Sequence, residues 1–340
     1  MYENTGLDFL GAFYGAHAPA FHDIPNMDDV YRLFRQLRRL EVLTKLILRA
    51  RALRSFGADF HPLPGASIMA KPLLPDALWE RIAPLLPPPP VPKRPDRPGR
   101  PRIADRQCLL GILFVLKTGI DWEDLPQELG CGCGMTCWRR LAEWTKAGVW
   151  PKLQELLLAE LEGAGPIDWR RAALDSSHVR ARGGGERTGP SPVDRRKKGS
   201  KHFVMTDGKG TPLAVTHTAG NTADVRGLKP TVEAVPPVRG KPGRPRRRPQ
   251  EVYADRGFDS QELRQWLRTR GIKPRIARKR TPHGSGLGVY RWVSERTLSW
   301  LHNFDRLRVR KDKSAVIHQA FLTLASSLIC FNQLCQGQFC

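Results

Sequence analysis

The apolar runs A-A-L-D and V-Y-A-D each end on a carboxylate, Asp175 and Asp255. A charge at the end of a buried strand is costly unless it is paired, hydrogen-bonded or bound to a cation. For adjacent buried carboxylates the usual reason is a hard divalent cation. Taken singly, each Asp has a plainer role as cap of the turn that follows, and Asp255 before Arg256, Gly257 and Phe258 suits that role. A third acid shifts the balance. In R-W-V-S-E-R-T-L-S-W-L-H-N-F-D-R-L, at about 100° per residue, Val293, Thr297, Trp300, Phe304 and Leu307 fall on one face, which the pattern assigns to packing. The opposite stripe carries Arg291, Glu295, Ser299, His302 and Arg306, so Glu295 is one acid among groups suited to phosphates. An ion pair with Arg291 explains little, because Arg preceding Glu is the weaker order and contributes only about a few tenths of a kcal/mol.

Two Asp on strand ends and one Glu on a later helix suit phosphodiester chemistry with two Mg²⁺ ions roughly 3.5 to 4 Å apart, with Mn²⁺ as a substitute. One ion activates the attacking water or 3′-hydroxyl and the other stabilises the leaving 3′-oxygen. Asp175 is the expected bridging ligand, with Asp255 and Glu295 each completing one ion's shell. No side chain need become a covalent nucleophile, and no motif sets a Ser or Tyr beside an arginine cluster.

The segments that must hold these acids alternate in texture. After Gly165 come the β-like runs R-A-A-L-D-S-S-H-V-R-A, K-H-F-V-M-T-D and T-P-L-A-V-T-H-T, the last two joined by the tight turn D-G-K-G. A helix near 224–234, V-Y-A-D, a helix over 260–270 and K-P-R-I-A follow, and two helices near 291–308 and 313–332 close the chain. This order describes a mixed α/β sheet. His178, three residues beyond Asp175 on a strand, belongs to the opposite face. Asp207, Asp224 and Asp259 fit turns or helix caps better than ligand positions.

Upstream, residues 72–163 read as helical, broken by the Pro/Arg-rich linker 84–102, which cannot pack as a helix interior. Ile103–Thr118 is apolar and periodic, W-E-D-L-P-Q-E-L-G is short, and G-M-T-C-W-R-R-L-A-E-W-T-K follows a glycine turn. Two helices about such a turn, with Thr136, Arg139 and Arg140 near the start of the second, match a helix-turn-helix. The competing reading is a helical hairpin with arginines in solvent, and the charge of the chain favours the former. Lys and Arg number 56 against 33 Asp and Glu over 340 residues, a net +23, which calls for a polyanionic partner such as double-stranded DNA. The string P-G-R-P-R occurs twice, bringing Arg100 and Arg102 and then Arg244 and Arg246. Such cores can enter an A·T minor groove; two solvated basic loops that add backbone affinity are the plainer account. The basic loop A-R-G-G-G-E-R-T-G-P-S-P-V-D-R-R-K-K-G-S is expected to order on DNA.

Other classes fall away. No stretch supplies the roughly 18 uninterrupted apolar residues of a spanning helix, and M-Y-E-N-T-G-L-D-F-L lacks the positive start of a secretory signal. The chain is expected in the cytoplasm, with no membrane partner. Seven cysteines in such a chain do not form a disulfide framework. The cluster C-G-C-G-M-T-C lacks a fourth zinc ligand at finger-like spacing and reads as small cysteines in a turn.

Four ordered motifs, A-L-D-S-S-H-V-R-A, A-G-N-T-A-D-V-R-G-L, V-Y-A-D-R-G-F-D-S and R-W-V-S-E-R-T-L-S-W-L-H-N-F-D-R-L-R-V-R, resemble the DDE transposases of the insertion-sequence-five family. The segments L-P-D-A-L-W-E-R-I-A-P-L-L-P, G-R-P-R-I-A-D-R, L-K-T-G-I-D-W-E-D-L-P and M-T-C-W-R-R-L-A-E-W resemble the N-terminal region of the same enzymes. The resemblance runs from about residue 70 to 335 and leaves 1–68 as an N-terminal extension that matches nothing in the family. It implies an α/β fold: a ribonuclease-H-like mixed-sheet catalytic domain over 166–335, preceded by an all-α helix-turn-helix-type DNA-binding region over 69–163. It also implies a triad at Asp175, Asp255 and Glu295 with Arg291 beside it. His302 stands where the family has a basic residue, so its phosphate contact depends on protonation, and the expected upstream tyrosine is displaced to Tyr290. The activity expected is cleavage of element ends and joining of their 3′-hydroxyls to target DNA by a homodimer. The alternatives are a decayed, DNA-binding relative and a nuclease of the same fold without strand transfer.

Overall fold

β1, Arg171–Ala181, is the strand on which the sheet is built. Its first half is apolar on both faces, with Ala172, Ala173 and Leu174 buried, as a central strand requires. β3 (Lys198–Asp207) runs antiparallel to it from Ala172 opposite Asp207 to Arg180 opposite Gly199, and β4 (Pro212–Ala219) runs antiparallel to β3. D-G-K-G closes that hairpin: the Asp207 carboxylate accepts the N–H groups of Lys209 and Thr211 at 2.9 and 2.7 Å, and Gly210 takes the left-handed φ of 93° that suits glycine. On the other flank β5 (Glu251–Ala254) and β6 (Lys273–Ile276) lie parallel to β1. The order β4-β3-β1-β5-β6, three antiparallel strands and then two parallel, is the ribonuclease-H-like arrangement. Two short strands, β2 (Gly189–Pro190) and β7 (Val309–Arg310), add to β3 and β1.

The computed structural model describes residues 72–89, 101–165, 167–280 and 286–337, all within the compact unit Met69–Cys340; the extension 1–68 and Arg100 lie outside the described residues.

Among the described residues four α-helices precede the sheet: α1 (Asp76–Ile82), α2 (Asp105–Thr118), α3 (Gly134–Lys146) and α4 (Val149–Ala164). The periodic run of α2 buries Cys108, Leu109, Ile112, Leu113, Val115 and Leu116 and stops at left-handed Gly119. Between α2 and α3 the expected short helix is instead two single 3₁₀ turns, Trp122–Asp124 and Gln127–Leu129, because Pro126 removes an amide donor between them. α4 shares its packing with the sheet: the Gln154 amide donates to the carbonyls of Pro212 and Leu213 and to Ser326 Oγ.

The helices after β4 are α5 (Val225–Glu233), α6 (Gln261–Arg268), α7 (Gly288–His302), α8 (Asp305–Arg308) and α9 (Ala315–Gly337). By length and composition α9 could cross a membrane, yet 78% of its apolar window is buried against the rest of the protein. α5 packs on the face of β3 that carries Phe203, so closely that a Cβ on Gly227 would lie 2.2 Å from the Phe203 ring. The other face carries His202, whose ring neighbours His302 of α7 and His318 of α9. The helix expected over 291–308 ends at His302, and Asp305–Arg308 forms a separate turn of helix. The buried face of α7 is Val293, Ser294, Thr297, Leu298 and Leu301, while Trp300 is only half-buried.

Candidate active site

The sheet brings two of the candidate acids together by register. β1 and β5 pair in parallel up to Ala173 opposite Tyr253. Two residues further along each chain stand Asp175 and Asp255, at the carboxyl end of the parallel pair, where open α/β sheets place their ligands. β1 fills the β-like run 171–181, so Asp175 stands within the strand and not at its end, because β3 still pairs with it there and holds Val204 opposite Asp175. Only its β5 flank opens. Asp255 does follow a strand end, and it also takes the plainer turn role: its Oδ1 accepts the Gly257 N–H at 2.8 Å and caps the 3₁₀ turn Arg256–Phe258.

Asp175 Oδ1 accepts the N–H of Ser176 at 2.8 Å. Burial pushes its carboxyl up to about 6; the Ser176 N–H and Arg291 act against that, while the charges of Asp255 and Glu295 add to it. Three acids from β1, the β5 end and α7 therefore repel within one locality. Glu295 is the exposed member, its side chain 63% accessible and 3.8 Å from the Arg291 guanidinium. Among the described residues no three or more His, Cys, Asp and Glu side chains stand, as they lie, where they could hold a metal ion together. The donor set nonetheless fits Mg²⁺ or Mn²⁺, which take carboxylate oxygens. A cation would offset the burial, and with it the neighbouring acidic charges, that hold Asp175 toward its neutral form, and Glu295 would leave Arg291 to join it.

The basic residues divide. Thr136 and Arg139 lie on the first turns of α3, with Arg139 exposed. Arg140 does not join them: it is 4% exposed, and its guanidinium donates to Asp105 Oδ1 at 2.6 Å and to the Ile103 carbonyl, tying α3 to α2. Arg102 reaches Glu143 of α3 at 3.0 Å. Arg244 is exposed, and Arg246 sits 3.9 Å from Glu162, with its backbone bridged to Val238. Arg306 is a correction of the same kind as Arg140, since the break after His302 turns it inward, 3% exposed, onto Asp312 and the Ile120 carbonyl. His302 is largely buried, and burial with the nearby Arg308 charge lowers its imidazole below the ordinary value. A neutral ring cannot offer phosphate the charge expected of it. The cysteines pack as a turn: Cys131 and Cys137 are buried over Gly111, whose missing side chain leaves room for them.

Two features escaped the sequence reading. Arg296 lies between Trp292 and Trp300, its guanidinium 4.5 and 4.7 Å from their rings, in a spacing of four and four that helical periodicity could have flagged. Asp224 was read as a cap, and it does occupy the position before α5, but its side chain makes no capping bond. It accepts from Ser176 Oγ at 2.7 Å and from Lys201 Nζ at 3.0 Å instead. These partners are too distant in sequence for local patterning to pair them.

The model of a transposase DDE domain matches residues 170–330, and that of a putative transposase of the IS4/5 family matches residues 74–154. A putative transposase for insertion sequence element IS402 of Burkholderia cepacia is 54% identical over 165 residues, 48% of this chain and 76% of that protein. The chain belongs to the DDE transposases of the IS4/5 family. A second IS402 protein of Burkholderia cepacia, an uncharacterized one of 16.2 kDa, is 58% identical over 124 residues, 36% of this chain and 84% of its own length. The catalytic domain of the Mos1 mariner transposase covers 54% of this chain and 91% of its own at 15% identity, with a TM-score of 0.23, too low for any argument to rest on it. In this transposase the matched DDE segment encloses Asp175, Asp255 and Glu295.

Proposed function

We propose that this transposase binds the ends of its element in double-stranded DNA as a homodimer in the cytoplasm, cleaves them by metal-dependent phosphodiester hydrolysis, and joins the freed 3′-hydroxyls to target DNA. The observation that carries this reading is the convergence of Asp175, Asp255 and Glu295 from three elements on one end of the β1–β5 pair, where the charges of Asp255 and Glu295 both reach Asp175. Those three side chains would hold two Mg²⁺ ions, or Mn²⁺ in their place. Bound there, the ions supply activation of the attacking oxygen and stabilisation of the leaving 3′-oxygen.

The chain's own groups do the rest. Asp175 must be ionised to serve, so at low pH protons would compete with the cation for its raised carboxyl. Arg291, beside both Asp175 and Glu295, is placed to meet a phosphate oxygen once Glu295 turns away. Exposed Arg139 and Arg244, with Thr136, supply contacts to the DNA backbone, and the large excess of positive charge supplies non-specific affinity.

The test incubates purified protein with a labelled element end and Mg²⁺, comparing wild type with Asp175→Ala, Asp255→Ala and Glu295→Ala. Loss of cleavage in all three is expected. Variants that cut as well as wild type would refute the assignment, and cleavage without joined products would favour a nuclease.

A further inference from the structure

We propose that Asp224 is a positioning residue of the carboxylate site, acting on Asp175 through Ser176 and on Asp255 through Gly257; this rests on the reading of those acids as the metal-binding site. Ser176 faces two ways: its backbone N–H holds Asp175 Oδ1 at 2.8 Å, and its hydroxyl donates to Asp224 Oδ1 at 2.7 Å. Gly257 does the same on the neighbouring chain segment. Its N–H holds Asp255 Oδ1 at 2.8 Å, and its side-chain-free face lies against Asp224, so that a Cβ there would come within 2.8 Å of Asp224 Oδ2 and 3.0 Å of Asp255 Oδ1. One carboxylate thus touches the two residues, Ser176 and Gly257, whose backbone amides orient Asp175 and Asp255.

Asp224 is itself fixed. Lys201, 5% exposed, donates from Nζ to Asp224 Oδ1 at 3.0 Å and to the Thr222 carbonyl at 3.0 Å. A buried ammonium has no reason to be there without that carboxylate, because an unpaired one would be strongly destabilising. Lys201 stands opposite His178 in the β1–β3 ladder, and Phe203 stands opposite Ser176, so both partners of Asp224 project to the face covered by α5. Asp175, one residue from Ser176 along β1, projects to the face covered by α7, which carries Glu295. Asp224 therefore supports the site from behind the sheet while Glu295 approaches from in front. The motif A-G-N-T-A-D-V-R-G-L has this physical content: the turn before α5 delivers a carboxylate to β1 and the β5 end.

The experiment uses the full chain with Ser176→Ala, Asp224→Asn, Asp224→Ala, the double variant Ser176→Ala/Asp224→Ala, and Asp175→Ala as reference. Two quantities are measured: the rise in Tm on titrating Mn²⁺ without DNA, and the cleavage rate of an element end at saturating DNA. Ser176→Ala leaves the Lys201 pair intact and is the variant that folds as wild type. It is expected to cut more slowly by about tenfold to a hundredfold, the cost of misplacing a reacting group by a fraction of an ångström, and to need more Mn²⁺ for the same Tm rise. Asp224→Ala should show the same defects, the double variant no more than either single one, and Asp224→Asn, which keeps the Oδ1 acceptor, should recover most of the rate. The proposal is overturned if Ser176→Ala matches wild type in rate and Mn²⁺ response while Asp224→Ala loses only its metal-free Tm. An unchanged Mn²⁺ response in Asp175→Ala would instead sink the metal-site reading on which the proposal stands.

Discussion

Arg306 and Asp312 form a closed, buried pair: Nε meets Oδ2 at 3.0 Å and Nη2 meets Oδ1 at 2.7 Å, with both side chains about 95% or more enclosed. The third Arg306 donor reaches the Ile120 carbonyl at 2.7 Å, so the guanidinium ties α8 to the loop after α2. Arg306→Ala takes from Asp312 the guanidinium that holds both its oxygens, and breaking a buried pair costs about 3 to 5 kcal/mol. Denaturant unfolding should register that loss. DNA affinity of the folded variant should keep its wild-type salt dependence, since Arg306 reaches no phosphate.

Asp175 gives a second prediction with opposite signs for activity and stability. Its carboxyl titrates near 6 in the folded chain, above its ordinary value of 3.8. The folded state therefore binds more protons than the unfolded state between those values, and the metal-free protein loses stability as pH rises from about 4 through about 6. At pH 7 that unfavourable contribution is at most about 3 kcal/mol. Asp175→Asn should raise the metal-free Tm at pH 7 and abolish cleavage, while the wild-type cleavage rate should climb with pH through about 6. A lower Tm in Asp175→Asn would show that the strand-end acid is not strained.

What could be read from the sequence, and what could not, follows from the range of the interactions. The two strand-end acids and the Glu helix came from local patterning, and the β1–β5 register turned the first two into neighbours. Arg140 and Arg306 were misread as surface cations because helical periodicity reports a face, not what covers it. Asp105 covers the first and Asp312 the second. The β-like run 171–181 coincides with β1, but the place of Asp175 within it was less legible: the apolar half stops there, and the pairing that carries the strand on comes from β3, more than twenty residues further along the chain. Asp224 needed both Ser176 and Lys201 to reveal itself.

On α3 two adjacent arginines should separate cleanly. Arg139 is exposed and Arg140 is buried against Asp105. Arg139→Ala should weaken DNA binding across all sequences and reduce the slope of log affinity against log salt by about 1, with Tm unchanged. Arg140→Ala should instead lower Tm, because the Asp105 carboxylate, already raised by burial, loses its closest partner. Equal salt slopes in wild type and Arg139→Ala would remove the start of α3 from the DNA surface.

The sheet face under α7 and α9 carries a histidine cluster that sets the acid stability of the protein. His202 Nε2 lies 2.8 Å from His318 Nε2, the His217 ring stands edge-on to His318 at 5.1 Å, and His217 Nδ1 bonds Gln319. Burial drives His202 and His318 well below their ordinary value of 6.5 and His217 down to about 4, with the Arg310 charge adding to each. Below about 6.5 the unfolded chain takes up protons that the folded chain refuses, so stability is lost as pH falls from about 6.5 toward about 4. Asp175, with Asp105 and Asp207, works in the opposite direction over part of that window, but the three histidines, joined by His178 and His302, outweigh these carboxyls, and Tm should fall steadily on acidification. His217→Gln, which replaces the titrating ring with a neutral group able to keep a hydrogen bond to Gln319, should flatten the fall by about one proton's worth of the slope. A Tm that stays level from pH 7 to pH 4.5 in wild type would mean that the cluster is already protonated or already open to water.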